Sequence, residues 1–109
     1  METYKVTVDE YGTICWYQND KRHRLDGPAI EYADGHKTWY QNDKRHRLDG
    51  PAVESSDGSN FWHKNGRLHR LDGPAVECAS GDKSWYIEGV KYTEEEFNAK
   101  INSTCEAKP

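Results

Sequence analysis

Four tryptophans, Trp16, Trp39, Trp62 and Trp85, stand 23 residues apart, and the chain around them repeats with the same step. The segment KRHRLDGPA fills Lys21–Ala29 and again, letter for letter, Lys44–Ala52. GRLHRLDGPA at Gly66–Ala75 is a third copy, and Gly12, Gly35, Gly58 and Gly81 keep the period. Self-similarity at this period marks an array of small units, each covering its apolar side with its neighbours.

One unit is too short for a strand–helix–strand crossover, and none of it has helical periodicity. It holds two β-like runs, PAIEYA and HKTWYQ, joined by Asp34-Gly35. Asp-Gly between such runs predicts a type I′ hairpin, since both central residues need positive φ. With a two-residue loop, Ala33 faces His36, Glu31 faces Thr38 and Ile30 faces Trp39. Val53 then faces Trp62, and Val76 faces Trp85. Opposed residues share a sheet face, so this count predicts a core column of Ile/Val–Trp pairs. The other, wetter face carries Ala–Tyr and Glu–Thr pairs. A longer turn with a bulge would shift the count. Asn19-Asp20, Asn42-Asp43 and Asn65-Gly66 mark a second bend in each unit. Asp26, Asp49 and Asp72 tighten the turns before Pro28, Pro51 and Pro74, which suit strand starts.

The fold expected is all-β: a single-layer antiparallel meander of 23-residue β-hairpin repeats with a short C-terminal helix as cap. Hydrophobic residues make up 34% and charged residues 31%, with a mean hydropathy of -1.12, too polar for a thick core. Four Trp, seven Tyr and two Phe are too many for a disordered chain. One domain spans 1–102: a strand cap at 4–15, units at about 16–38, 39–61 and 62–84, and a hairpin half with helix cap at 85–101. A loose tail is expected over 103–109. Thr93 and Glu96 form a capping box, with Tyr92 and Phe97 as its hydrophobic staple. The helix is expected from about Glu94 to Ile101.

The repeated pattern, N-D/G-x-x-H entering a Gly-containing turn and D-G-x-x-x/W-Y leaving it, resembles the MORN repeat over roughly residues 11–90. It looks closest to variant MORN repeats of small bacterial and phage proteins, some of them antitoxin components. Two features depart from the family: Arg24-Leu25-Asp26-Gly27-Pro28 follows His23 where His-Gly-x-Gly is usual, and the Tyr-x-Gly before the Trp is missing. The resemblance implies a scaffold or interaction module rather than an enzyme, phospholipid binding being proposed for some members.

Net charge is -4, which does not advertise nucleic-acid binding by the whole chain. Eight of the fifteen Lys and Arg nevertheless sit in the three copies of the phrase. His beside Asp could be a base with its orienting partner. A catalytic site, however, needs one constellation, and this one recurs three times with no matching nucleophile. Equivalent His23, His46 and His69 would stand about 9–10 Å apart, too far to share a metal. No cofactor or metal is expected. Asp can cap the turn while Arg and His brace adjacent repeats, a purely structural use of the motif.

The residues placed in a partner- or anion-binding row are Arg22, His23, Arg24, Arg45, His46, Arg47, His69 and Arg70, with Tyr17 and Tyr40 as stacking surfaces. The function expected is a non-enzymatic module docking on another protein; if phage-encoded, an inhibitor of a host protein. The alternatives are a binder of an anionic ligand such as a nucleotide or nucleic acid, and a structural assembly component. Cys15, Cys78 and Cys105 fit no metal spacing and, with no signal peptide, point to free thiols in a cytoplasmic setting, the host cytoplasm if phage-encoded. No apolar run reaches a membrane span. Exposed strands could also pair into a homodimer.

Overall fold

The two turns of each unit decide the path of the chain. The computed structural model describes residues 4–106. At Asp34-Gly35 the Tyr32 N–H donates to the His36 carbonyl at 2.8 Å, and the Gly35 N–H to the Tyr32 carbonyl at 3.0 Å. The loop therefore has three residues, Ala33-Asp34-Gly35, with Gly35 at φ 97°. That is a turn followed by a glycine bulge, not a type I′ turn. The same bonds close Ser55–Ser59 and Cys78–Asp82. The type I′ turns are at the other bend. Asn19-Asp20 has φ 53° and 63°, Asn42-Asp43 has 53° and 67°, and Asn65-Gly66 has 51° and 84°.

The longer loop corrects the expected register by one residue. Ile30 faces Thr38, Val53 faces Phe61 and Val76 faces Ser84, so the expected Ile/Val–Trp pairs do not form. A slip of one moves a strand's side chains to the opposite face. The buried residues are accordingly Ala29, Ile30, Tyr40, Ala52, Val53, Ala75 and Phe97, with the polar His23, Thr38, Ser59 and His63, while the four Trp are only half-buried. Tyr40, expected on the wetter face, is core.

Strand β1 (Lys5–Val8) pairs along β2 (Ile14–Gln18), whose far end turns into β3 (Lys21–Arg22). The first repeat hairpin is β4 (Ile30–Glu31) with β5 (Lys37–Thr38), followed by the small hairpin β6 (Tyr40–Gln41) and β7 (Lys44–Arg45). The next unit repeats this as β8 (Val53–Glu54), β9 (Asn60–Phe61), β10 (His63–Lys64) and β11 (Arg67–Leu68). β12 (Val76–Glu77), β13 (Lys83–Ile87) and β14 (Val90–Tyr92) complete the strands. The main sheet runs β1-β2-β4-β5-β8-β9-β12-β13-β14, all antiparallel. Small hairpins β6-β7 and β10-β11 stand beside it. Trp39 lies between β5 and β6 and hands its N–H to the Ala52 carbonyl, just before β8, at 2.7 Å. One dimension of the molecule is only 18 Å, as a single layer requires.

Helix α1 (Glu94–Glu106) begins where the capping box places it. Thr93 Oγ1 accepts the Glu96 N–H at 3.1 Å, and Glu96 Oε1 accepts the Thr93 N–H at 2.9 Å. Three glutamates in its first turn suit the helix dipole. Phe97 is buried. The helix runs past Ile101 to Glu106, so residues 103–106 are helical rather than a loose tail; 107–109 lie outside the described residues. No helix among the described residues is long and apolar enough to cross a membrane. Cys15 and Cys78 are free, half-buried thiols; the Cys105 side chain lies outside the described residues.

Candidate functional site

The His-Arg-Leu-Asp-Gly-Pro-Ala phrase can be read letter by letter. The arginine folds back over the tryptophan of its own unit. The Arg24, Arg47 and Arg70 guanidinium carbons lie 4.0, 3.9 and 3.8 Å from the ring centres of Trp16, Trp39 and Trp62. Each Nε donates to the aspartate two residues on, at 2.9, 3.1 and 2.8 Å for Asp26, Asp49 and Asp72. Each Nη1 donates to the proline carbonyl at 3.3, 3.0 and 3.0 Å. Arg47 and Arg70 also reach Glu54 and Glu77 at 3.0 and 3.3 Å. Glu31 stands 3.9 Å from Arg24.

The glycine makes this possible. A Cβ on Gly27, Gly50 or Gly73 would sit 2.9, 2.9 or 3.0 Å from the guanidinium carbon. The alanine that follows proline is completely buried in all three copies. Arginine is thus packed between an indole and a bare backbone, a position its flat, weakly hydrated head fills well.

Histidine ties one unit to the next. Nδ1 of His23, His46 and His69 accepts the N–H of Asn42, Asn65 and Glu88, residues of the following tight turns, at 3.1, 3.0 and 2.9 Å. Accepting there requires the neutral imidazole with its proton on Nε2. The backbone adds a second ladder: Arg24, Arg47 and Arg70 N–H groups donate to the carbonyls of Tyr40, His63 and Tyr86, each at 3.1 Å. The expected polar brace between repeats is present, but histidine forms it. The side chains of these arginines stay within their own unit.

The first junction is reinforced by Arg22. It lies 4.3 Å over the Tyr40 ring, and both its Nε and its backbone N–H donate to Asp43 Oδ1. These bonds hold the Asp43 carboxyl below its ordinary range. The following junction has His63 and Gly66 where this one has Tyr40 and Asp43, and Arg45 is exposed. His63 is buried, with no hydrogen-bond partner for Nδ1 among the described residues. Burial, with Arg45 adding to it, pushes its pKa down to about 4 against a smaller opposing effect of the Phe61 backbone.

The expected row of exposed cations and rings is therefore not what the surface carries. Arg24, Arg47 and Arg70 are packed away, Arg22 is engaged, His23 and Tyr40 are buried, and Tyr17, His46 and His69 are half-buried. Arg45 alone of the expected set is fully on the surface.

What the loops present instead is leucine. Leu25, Leu48 and Leu71 are 62%, 78% and 53% exposed, each beside an exposed aspartate. Two open grooves separate successive loops. The first, about 630 Å³, lies between Leu25-Pro28 and Leu48, with Trp39 and His46 in its lining. The second, about 650 Å³, repeats it between Leu48-Pro51 and Leu71, with Trp62, Lys64 and His69. A third, about 420 Å³, lies between Leu71-Pro74 and α1, and Trp85, Phe97 and Ile101 line it. The helix stands where a fourth loop would. Sequence reasoning passed over the leucine, although a large apolar residue fixed in a phrase of turn formers was a readable signal.

No family model, curated protein or solved structure matches the chain.

Proposed function

We propose that this protein is a non-enzymatic docking module whose binding surface is the row of Leu25, Leu48 and Leu71 with the grooves between them. One observation carries the reading. In a phrase repeated three times, the neighbours of leucine are all engaged within the fold. Histidine links units, arginine stacks, aspartate holds arginine, glycine makes room and alanine packs. Leucine is left in water on a braced loop. Holding large apolar side chains exposed and fixed disfavours solubility, and such surface is a mark of interaction sites. Repetition makes several weak identical contacts additive. The use fits the interaction role that the resemblance to MORN arrays implies. The anion-binding alternative loses its main residues, because three of its arginines are spent on tryptophan, carbonyl and carboxylate.

The test compares capture from a lysate of the encoding organism by the native chain and by the Leu25→Ser/Leu48→Ser/Leu71→Ser variant. Exposed positions should tolerate serine with an unchanged melting temperature. A protein retained by the native chain and lost by the variant is the expected result. Capture unaffected by the three changes overturns this surface as the site.

A further inference from the structure

Resting on that docking reading, we infer that the surface receives a basic amphipathic helix from the partner, laid along the row of loops. Three observations lead there. The first is charge. The exposed groups beside the leucines are the carboxylates of Asp26, Asp49 and Asp72. Each accepts one arginine bond through Oδ1; those arginines also line the grooves, but they are stacked on indoles and bonded to proline carbonyls, while the aspartates stand 84–89% exposed. Leucine beside carboxylate asks for an apolar side chain next to a cation.

The second is spacing. Each repeat adds two strands to the sheet, so equivalent loops follow one another at about 9–10 Å. Seven residues of α-helix rise about 10.5 Å. Apolar residues one heptad apart would therefore meet successive grooves, and a lysine or arginine one turn away would meet each aspartate.

The third is continuity with a contact the molecule already makes. At the end of the row, helix α1 carries Phe97 and Ile101, one turn apart, to the groove lined by Leu71, Pro74 and Trp85. That groove is reduced to about 420 Å³ from the 630 and 650 Å³ of the open ones. A helix is thus already a compatible cover for this surface. Lys64 at the rim of the second groove, where the first has Gln41, makes the Leu25–Leu48 groove the better cation acceptor.

The test uses three labelled synthetic peptides with the full-length protein, read by fluorescence anisotropy. One is a three-heptad helix with leucine at the apolar positions and flanking lysines. The second replaces lysine by glutamate, and the third is a proline-rich extended peptide of equal positive charge. The lysine helix is expected to bind saturably and at least about tenfold more tightly than either control. Asp26→Asn/Asp49→Asn should remove most of that preference and flatten its salt dependence. Leu25→Ser/Leu48→Ser should abolish binding with the circular dichroism unchanged. Failure of the lysine helix to bind saturably, preference for the glutamate helix, tighter binding of the extended peptide, or self-association that occludes the row would each overturn the inference. The lysate comparison is independent: leucine-dependent capture there keeps the docking reading even when the peptides fail.

Discussion

Arg47 lies 3.9 Å above the centre of the Trp39 ring and is held there by Asp49, the Pro51 carbonyl and Glu54. The same packing occurs at Arg24 and Arg70, so one guanidinium–indole contact is the repeating fastener of the loops. Arg47→Ala should lower the urea-unfolding free energy by about 1–3 kcal/mol, more than an exposed ion pair is worth. Arg47→Lys should recover little, because an ammonium lacks both the flat face and the fork of donors.

Gly50→Ala tests the space behind that fastener. The added methyl would meet the Arg47 guanidinium at 2.9 Å and push it off the indole. The expected loss is about 1–2 kcal/mol. If the clash with arginine is the cause, the effect shrinks in an Arg47→Ala background, and a double-mutant cycle reads the coupling. Equal losses in both backgrounds would place the cause in the backbone.

His46→Ala removes the acceptor of the Asn65 N–H. A loss near 1 kcal/mol is expected. Amide exchange resolves it locally: protection at Asn65 should fall more than protection at Asn42, whose acceptor is His23. Uniform loss of protection would show that the repeats unfold as one body.

His63 gives the fold an acid sensitivity. Its pKa is about 4 in the folded chain and about 6.5 when unfolded. Between those values the unfolded chain binds the extra proton, so stability falls as pH drops from about 6.5 to about 4. The total change is up to about 3 kcal/mol, and it levels off below pH 4. The carboxyls of Asp26, Asp43 and Asp57 are also lowered, by their hydrogen bonds, so their contributions fade only further down the scale. Urea titrations at pH 7, 5.5 and 4.5 measure the slope. His63→Tyr, which supplies the residue found at position 40, should reduce it, with a remainder from His46, whose pKa burial also lowers.

Truncating Phe97 addresses the cap. Phe97→Ala should cost about 3 kcal/mol and loosen α1, seen as lost helical circular dichroism. Thr93→Ala should cost about 1 kcal/mol by removing one half of the capping box.

The period, the two bends per unit and the helix start at Glu94 were legible because each rests on local chemistry. Positive-φ residues, a capping box and a spacing of 23 all survive whatever the tertiary packing does. The face of the sheet was not legible. Asp34-Gly35 signals a hairpin equally well with two loop residues or three, and the one-residue difference put Tyr40 rather than Trp39 in the core. The arginines misled for another reason. In sequence they are cations on a bend; their inward packing depends on a missing Cβ at Gly27, Gly50 and Gly73, which becomes visible only in three dimensions.

Helix α1 occupies the place of a fourth loop, and that substitution fixes how many grooves the molecule offers. Because each 23-residue unit joins its neighbours through the same histidine and backbone bonds, inserting one more copy before Trp85 would lengthen the ruler by one notch without altering either end. The length of the loop row is a matter of arithmetic on its gene, open to change by duplication or deletion of a single unit.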